Sequence, residues 1–241
     1  MTKNFFTEYH QTQSFLNDSD DLQRIEWFKA YFSKNYLKYL TSYNEDISIL
    51  EIGCGRGMLL NAISESGFNN LTGIDLSEGD VELGKQLFPH LKLDTCDLHD
   101  FLSNSLKKFD VIILKAVLEH VEKPMIMDLL KRISLSLDKS GIVIIDVPDM
   151  DWFFASHERY LDFTHEVGFT AISLHQVLSF HFNNIQISNS VDYFSTNPLR
   201  NKLRNFTRRF LTYLLSIADP DGANALNWSR SLIAVASKKS Q

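Results

Sequence analysis

The chain has 241 residues, 44% of them hydrophobic, with 30 acids against 24 bases and a formal net charge of −6. That length buries a full core and is accounted for by one α/β domain, while the acidic balance disfavours a nonspecific nucleic-acid binder. No run approaches the roughly 18 apolar residues of a membrane span, and the opening MTKNFFTEYHQTQSF lacks the apolar core of a signal peptide.

Residues 20–40 carry a helical apolar rhythm, with Leu22, Ile25, Trp27, Phe28, Tyr31, Phe32, Tyr36 and Leu37. Two readings are open: a lid over the ligand side of a sheet, or an aromatic helix that simply covers it. Tyr9, His10 and Trp27 are weak ligand candidates. The first strand follows in ILEIGCGRGMLL, residues 49–60, where a buried strand bearing Glu51 runs into a glycine turn and a helix start. Gly53, Gly55 and Gly57 permit positive φ and let backbone N–H groups approach a ligand. GIDLS at 73–77 then puts Asp75 at the end of the second apolar strand, where it can accept hydrogen bonds from a ribose diol. Met58 stands where a dinucleotide fingerprint needs its third glycine, which argues against a nicotinamide-dependent oxidoreductase.

Strand and helix patterns go on alternating. A helix is predicted from about Glu78 to Phe88, then LKLDTCD, FDVIILK, a helix over 124–137 and GIVIIDV. Such alternation implies parallel strands joined by right-handed crossovers. Ligands then bind at the carboxyl ends of the strands, where Glu51 to Gly57, Asp75, Asp97 and Lys115 to His120 converge. The only cysteines, Cys54 and Cys96, show neither disulfide nor metal spacing, so no metal is expected and a reducing, cytoplasmic setting is the simpler reading.

Beyond Val147 the chain becomes rich in aromatics, histidines and carboxylates. A helix is expected from Thr170, a usable N-cap, with Ile172, Leu174, Val177 and Leu178 as its buried side. NNIQISNS and SRSLIAVASK read as the last two strands. Between them, residues 199–217 read as an acid-free helix, with Leu199, Leu203, Phe206, Phe210 and Leu214 in one stripe beside Arg200, Arg204 and Arg208. A solvated lid, a subunit contact, and a site for phosphate or an anionic membrane face all fit this pattern. Asp219 to Asn224, with Pro220 and Gly222, reads as a closing loop.

The ordered set E-x-G-C-G-x-G, Asp75, CDLHDF at 96–101 and FDVIILKAVLEHVEKP at 109–124 resembles the class I S-adenosylmethionine-dependent methyltransferases over residues 45–190. The resemblance implies a doubly wound, seven-stranded, mostly parallel α/β sheet closed by an antiparallel strand. It also implies a cofactor site: Glu51, Gly53, Cys54, Gly55 and Gly57 for the methionine part, Asp75 with Leu76 for the ribose, Asp97 with Leu98 for the adenine, and the Lys115 carbonyl near the sulfonium. The expected organisation is one domain, 1–241, made of an N-terminal helical lid (1–44), a cofactor-binding core (45–190) and a basic helical insertion (191–228).

HERYLDFTHE, residues 157–166, packs two histidines, three carboxylates and an arginine into ten positions. With the following residues it resembles an R-Y-x-D-x-THE-x-x-x-FT segment of methyltransferases that modify sugars and surface polysaccharides. The resemblance implies a glycan-related acceptor, and the residue types within the segment point to His165 as general base, Glu166 or Asp162 orienting it, Arg159 binding an anionic part of the acceptor, and His157 and Tyr160 contacting it. The competing reading is a hydrogen-bond network that shapes the loop. His120 is a rival base, although L-E-H in family members with quite different acceptors favours a cofactor-side role. Lys115-Ala116-Val117-Leu118 departs from the Asn/Asp-Pro-Pro-aromatic pattern of DNA amino-methylating enzymes. The expected activity is therefore O-methylation of a sugar, sugar nucleotide or phosphorylated substituent in capsule or O-antigen synthesis. No nucleic-acid partner is expected, and both self-association and peripheral contact through 199–217 are compatible with the pattern. The alternatives are an N- or C-methyltransferase of another small metabolite, and a silent binding subunit with the same fold.

Overall fold

In β1 (Ser48–Ile52) five consecutive residues are buried, the pattern of a strand covered by helices on both faces. The computed structural model describes residues 21–104, 107–192 and 197–239, and Tyr9 and His10 lie outside them. Six further strands join β1: β2 (Asn70–Asp75), β3 (Lys92–Thr95), β4 (Phe109–Lys115), β5 (Leu137–Pro148), β6 (Phe182–Asn189) and β7 (Ser231–Lys238). Their order is β3-β2-β1-β4-β5-β7-β6, parallel from β3 through β5, with β7 antiparallel to both of its neighbours. This is the seven-stranded α/β sheet expected.

The helices cover both faces. On one lie α1 (Asp21–Asn35), α2 (Leu37–Leu40), α3 (Met58–Ser64) and α4 (Glu78–Leu87), which bury Tyr31, Phe32, Leu40, Leu60 and Val81 against the sheet. On the other, α5 (Leu98–Asn104), α6 (Ile126–Ser136) and α8 (Ala171–Leu178) bury Leu102, Leu130, Ile133, Leu174 and Leu178. The short α7 (Ala155–Leu161) lies in the segment between β5 and α8.

Three details differ from the patterning. β5 starts at Leu137, ahead of GIVIIDV: Leu137 pairs with Phe109, the register then shifts, and Ile142 pairs with Val111. Gly141 sits at that irregularity, where a Cβ would press on the Phe109 carbonyl. Ile172, expected on the buried side of α8, is 73% exposed, because at 100° per residue it points away from Leu174 and Leu178. The closing loop after residue 219 contains a short helix, α10 (Pro220–Ala225), capped by the Asp219 carboxylate on Gly222 N.

Between β6 and β7 stands α9 (Pro198–Ala218), which buries none of its residues. Leu199, Leu203, Phe206 and Phe210 are all exposed. Its ties to the body include Arg208, which donates to the Trp228 carbonyl, and Trp228 Nε1, which donates to Thr212 Oγ1 at 3.0 Å. Among the described residues no helix is long and apolar enough to cross a membrane.

Candidate active site

The carboxyl ends of β1, β2, β3 and β4 surround a cavity of about 590 Å3. Its floor is the glycine turn. Gly53 and Cys54 both donate to the Ile74 carbonyl, and Gly53, Gly55 and Gly57 all have positive φ. Gly53 has a second reason to be glycine, since a Cβ there would collide with Val117 Cγ2, whereas one at Gly55 would meet open space. Asp75 clamps the turn from β2: Oδ2 accepts from Gly55 N at 2.8 Å and Oδ1 from Ser77 N at 2.8 Å. Burial pushes its pKa up. Beneath it Glu51 is buried, with Oε2 lacking any partner, and burial, reinforced by Asp75, holds its carboxyl well above the usual carboxylate range.

The residues expected at a cofactor all line this cavity except Gly57, which caps α3 in a left-handed conformation. Asp97 Oδ1 accepts from His99 N at 2.8 Å, so the acid after β3 also starts α5. The Lys115 ammonium turns back to the buried Asp146, 3.6 Å away, and sits over the Tyr31 ring. Asp146 also accepts from the Tyr31 and Tyr36 hydroxyls at 2.7 and 2.5 Å. The next residue, Ala116, takes φ +53°, a conformation that costs a non-glycine residue on the order of 1 kcal/mol and turns the chain across the cavity. Several wall residues were not singled out as site residues by the sequence, Arg24, Asp80, His99 and Met125 among them. Arg24 and Phe28 come from α1, and Arg56 pairs with Asp21 at 3.0 Å and Asp80 at 3.1 Å. In helix α1, Tyr31 and Phe32 are core while Arg24 and Phe28 line the cavity.

On the other side, His120 stands on the cavity wall, backed by residues far apart in sequence that do not themselves line it, His165 included. After β4 a 3-10 turn, Leu118–His120, places His120 on the cavity wall. The Glu119 carbonyl accepts from Glu166 N and Val167 N, which draws the 162–167 loop against the turn. The His120 and His165 rings then lie 4.8 Å apart. Thr164 Oγ1 donates to Asp162 Oδ1 at 2.7 Å, so at 2.8 Å it accepts from His120 Nδ1–H. His165 Nδ1–H donates to the Glu158 carbonyl at 3.0 Å. With Nδ1–H engaged in this way, the neutral form of either ring has Nε2 as its acceptor nitrogen. Burial, then His165, pushes the His120 pKa down to about 4. Glu119 is fully buried with neither oxygen partnered, and burial pushes it up to about 8.

Asp162 thus orients His120 through Thr164, and the Glu158 carbonyl orients His165. The Glu166 side chain is exposed. The Arg159 guanidinium donates to the His165 and Glu166 carbonyls, and so ties the loop together. His157 is exposed, Tyr160 is 80% exposed, and neither lines the cavity. Thr164 and Glu119 were not anticipated. A signal for Thr164 was present in D-x-T, where Asp162 Oδ1 accepts Thr164 N in an Asx turn. Glu119 had only its place inside L-E-H.

A family model described as a methyltransferase domain matches residues 24–189. The chain belongs to the methyltransferase family. EEF1A lysine methyltransferase 2 of Danio rerio is 36% identical over 110 residues, covering 43% of this chain and 47% of that one. The match thus spans about half the length of that relative. A methyltransferase of Archaeoglobus fulgidus described as SAM-dependent superposes with a TM-score of 0.70 at 18% identity, over 95% of this chain and 99% of its own. The plantazolicin methyltransferase BpumL, in complex with SAH, does so at 0.59 and 19% identity, over 99% and 97%. The sheet of this methyltransferase is that of the S-adenosylmethionine-dependent class, and its cavity fits that cofactor. Glu51 offers a buried, unpartnered oxygen to a cationic group, Asp75 retains lone pairs for a ribose diol, and Gly55 leaves open floor beside them.

Proposed function

We propose that this methyltransferase moves the methyl group of S-adenosylmethionine to a hydroxyl oxygen activated at the His120–His165 pair. When bound, the cofactor supplies a methyl carbon on a positively charged sulfur. The protein's own part is orientation, exclusion of water and handling of the acceptor proton. Glu51 and Asp75 hold the cationic and ribose parts, and Asp97 faces the adenine. One observation carries the hydroxyl reading: His120 lies on the cavity wall with its tautomer set by the Thr164–Asp162 wire and a second imidazole beside it. An amine or carboxylate acceptor has less need of such a wired pair.

The acceptor we infer is a sugar, sugar nucleotide or phosphorylated substituent of a surface polysaccharide. What supports this is the segment itself, since the D and T of its R-Y-x-D-x-T-H pattern are Asp162 and Thr164, which build the wire, and its H is His165, the ring beside His120. The test is transfer from methyl-labelled S-adenosylmethionine to a panel of sugar nucleotides, phosphorylated sugars and amines. Label on a sugar oxygen is the expected result. Label only on amines would move the activity to N-methylation, and S-adenosylhomocysteine binding with no labelled product would favour a silent binding subunit.

A further inference from the structure

Glu119, His120 and His165 meet where the turn after β4 faces the loop before α8. One imidazole nitrogen from each histidine and one Glu119 carboxylate oxygen all lie within 4.8 Å of one another. Glu119 is 2% exposed and neither of its oxygens has a hydrogen-bond partner. A buried carboxylate in that state carries a heavy desolvation penalty unless a positive charge or a proton donor faces it. The two imidazoles offer no N–H to it, because both direct Nδ1–H outward, to Thr164 and to the Glu158 carbonyl. What gathers at this point is one nitrogen from each ring and a carboxyl oxygen that ionises once a cation faces it.

We propose that Glu119, His120 and His165 form a binding site for a divalent transition-metal ion. Two imidazoles and one carboxylate suit the Zn2+, Fe2+, Mn2+, Co2+ and Ni2+ class, whereas Mg2+ and Ca2+ favour all-oxygen shells. The outer shell that such sites need is already built: each ring's second nitrogen is fixed by a hydrogen bond, one ending on the Asp162 carboxylate and the other on a backbone carbonyl. Three protein ligands leave coordination positions open, as in catalytic rather than structural sites, and His120 puts the site on the cavity wall.

That placement names an acceptor class, a hydroxyl with a second oxygen close by, such as a vicinal diol or a hydroxy acid. This part rests on the methyl-transfer reading, while the metal site itself does not. A metal-coordinated hydroxyl releases its proton to solvent. Its oxygen then forms the bond to the methyl carbon as the carbon–sulfur bond breaks, and that bonding pair stays on sulfur. The histidines are then ligands, and activation of the acceptor passes to the cation they hold.

The test uses the full chain stripped with EDTA and titrated with Co2+ alone, followed by visible absorption and calorimetry, with S-adenosylhomocysteine titrated into the same samples. One equivalent of Co2+ is expected, with d–d bands that shift on adding an acceptor. Glu119→Gln, which keeps the shape, and His165→Ala should each weaken Co2+ at least ~10-fold while leaving S-adenosylhomocysteine affinity within about threefold, which also reports that the variants are folded. Absence of saturable Co2+ binding, or equal binding in parent and both variants, overturns the site. Cofactor binding without Co2+ removes this inference alone, whereas Co2+ binding without the cofactor removes the methyl-transfer reading and leaves the site standing.

Discussion

The two halves of the cavity are built by different means. The cofactor half is backbone: positive-φ glycines, amide donors and an acid that clamps the turn, all within the 23 positions from Gly53 to Asp75. The proposed acceptor half rests on side chains: His120 on the cavity wall, its hydrogen bond to Thr164, 44 residues on, and the His165 ring beside it. A site made of backbone can be lost by adding a single methyl group. A site made of wired side chains loses function by degrees, because its shape survives each deletion.

The sharpest way to break that contrast is Gly53→Ala. The new Cβ meets Val117 and the backbone is left-handed there, so S-adenosylhomocysteine affinity should fall about 100-fold or more by calorimetry, with a lower Tm. On the acceptor side, His120→Ala and His165→Ala should each cut kcat about 100-fold in the labelled assay while cofactor affinity stays within about threefold. If cofactor affinity fell in step with kcat, the two halves would not be separate. Thr164→Val keeps the loop's volume but cuts the wire to Asp162, so a smaller loss is expected, about 10-fold in kcat, with little change in Tm.

A pH series sharpens the comparison further, since Glu51 belongs to the cofactor half. Burial raises its pKa, so without ligand it holds a proton at a pH where an exposed glutamate has lost one. A cationic ligand favours the ionised form, and binding then releases that proton. Affinity for S-adenosylmethionine should therefore rise with pH, by at most about tenfold per unit, over the range where free Glu51 is protonated. Calorimetry in buffers of different ionisation enthalpy counts the proton. Glu51→Gln should flatten the slope, and an unchanged slope would assign the proton to another group.

The same division explains what could be read from the sequence. The strands, the glycine turn, Asp75 and Asp97 were legible because each is dictated locally, by burial on both faces, by φ or by an N-cap. The start of β5 at Leu137 was not, since only its pairing with Phe109 makes those residues a strand. Ile172 looked buried by composition but falls on the wrong angle of α8. Around the histidines, residue types singled out ten positions, of which the structure brings Asp162, Thr164 and His165 together with His120, but they did not give that wiring. Which acid serves which ring depends on how the 162–167 loop docks on the Glu119 carbonyl, a contact with no local signature.

The helix α9 occupies a particular topological position. The antiparallel ladder of β6 and β7 closes below it, at Ser190 N to the Ser231 carbonyl, and every paired register position lies on the sheet side of that bond. The helix can therefore be exchanged as a module, between Val191, held by Asn35, and Asn227, bridged to Trp152. Its length, charge and apolar face are free to change without shifting one strand pairing, and longer hairpin insertions of this kind add only slowly to the entropy of closure. What α9 touches can thus diverge between relatives while the reaction centre stays fixed, as interchangeable heads fit one tool handle.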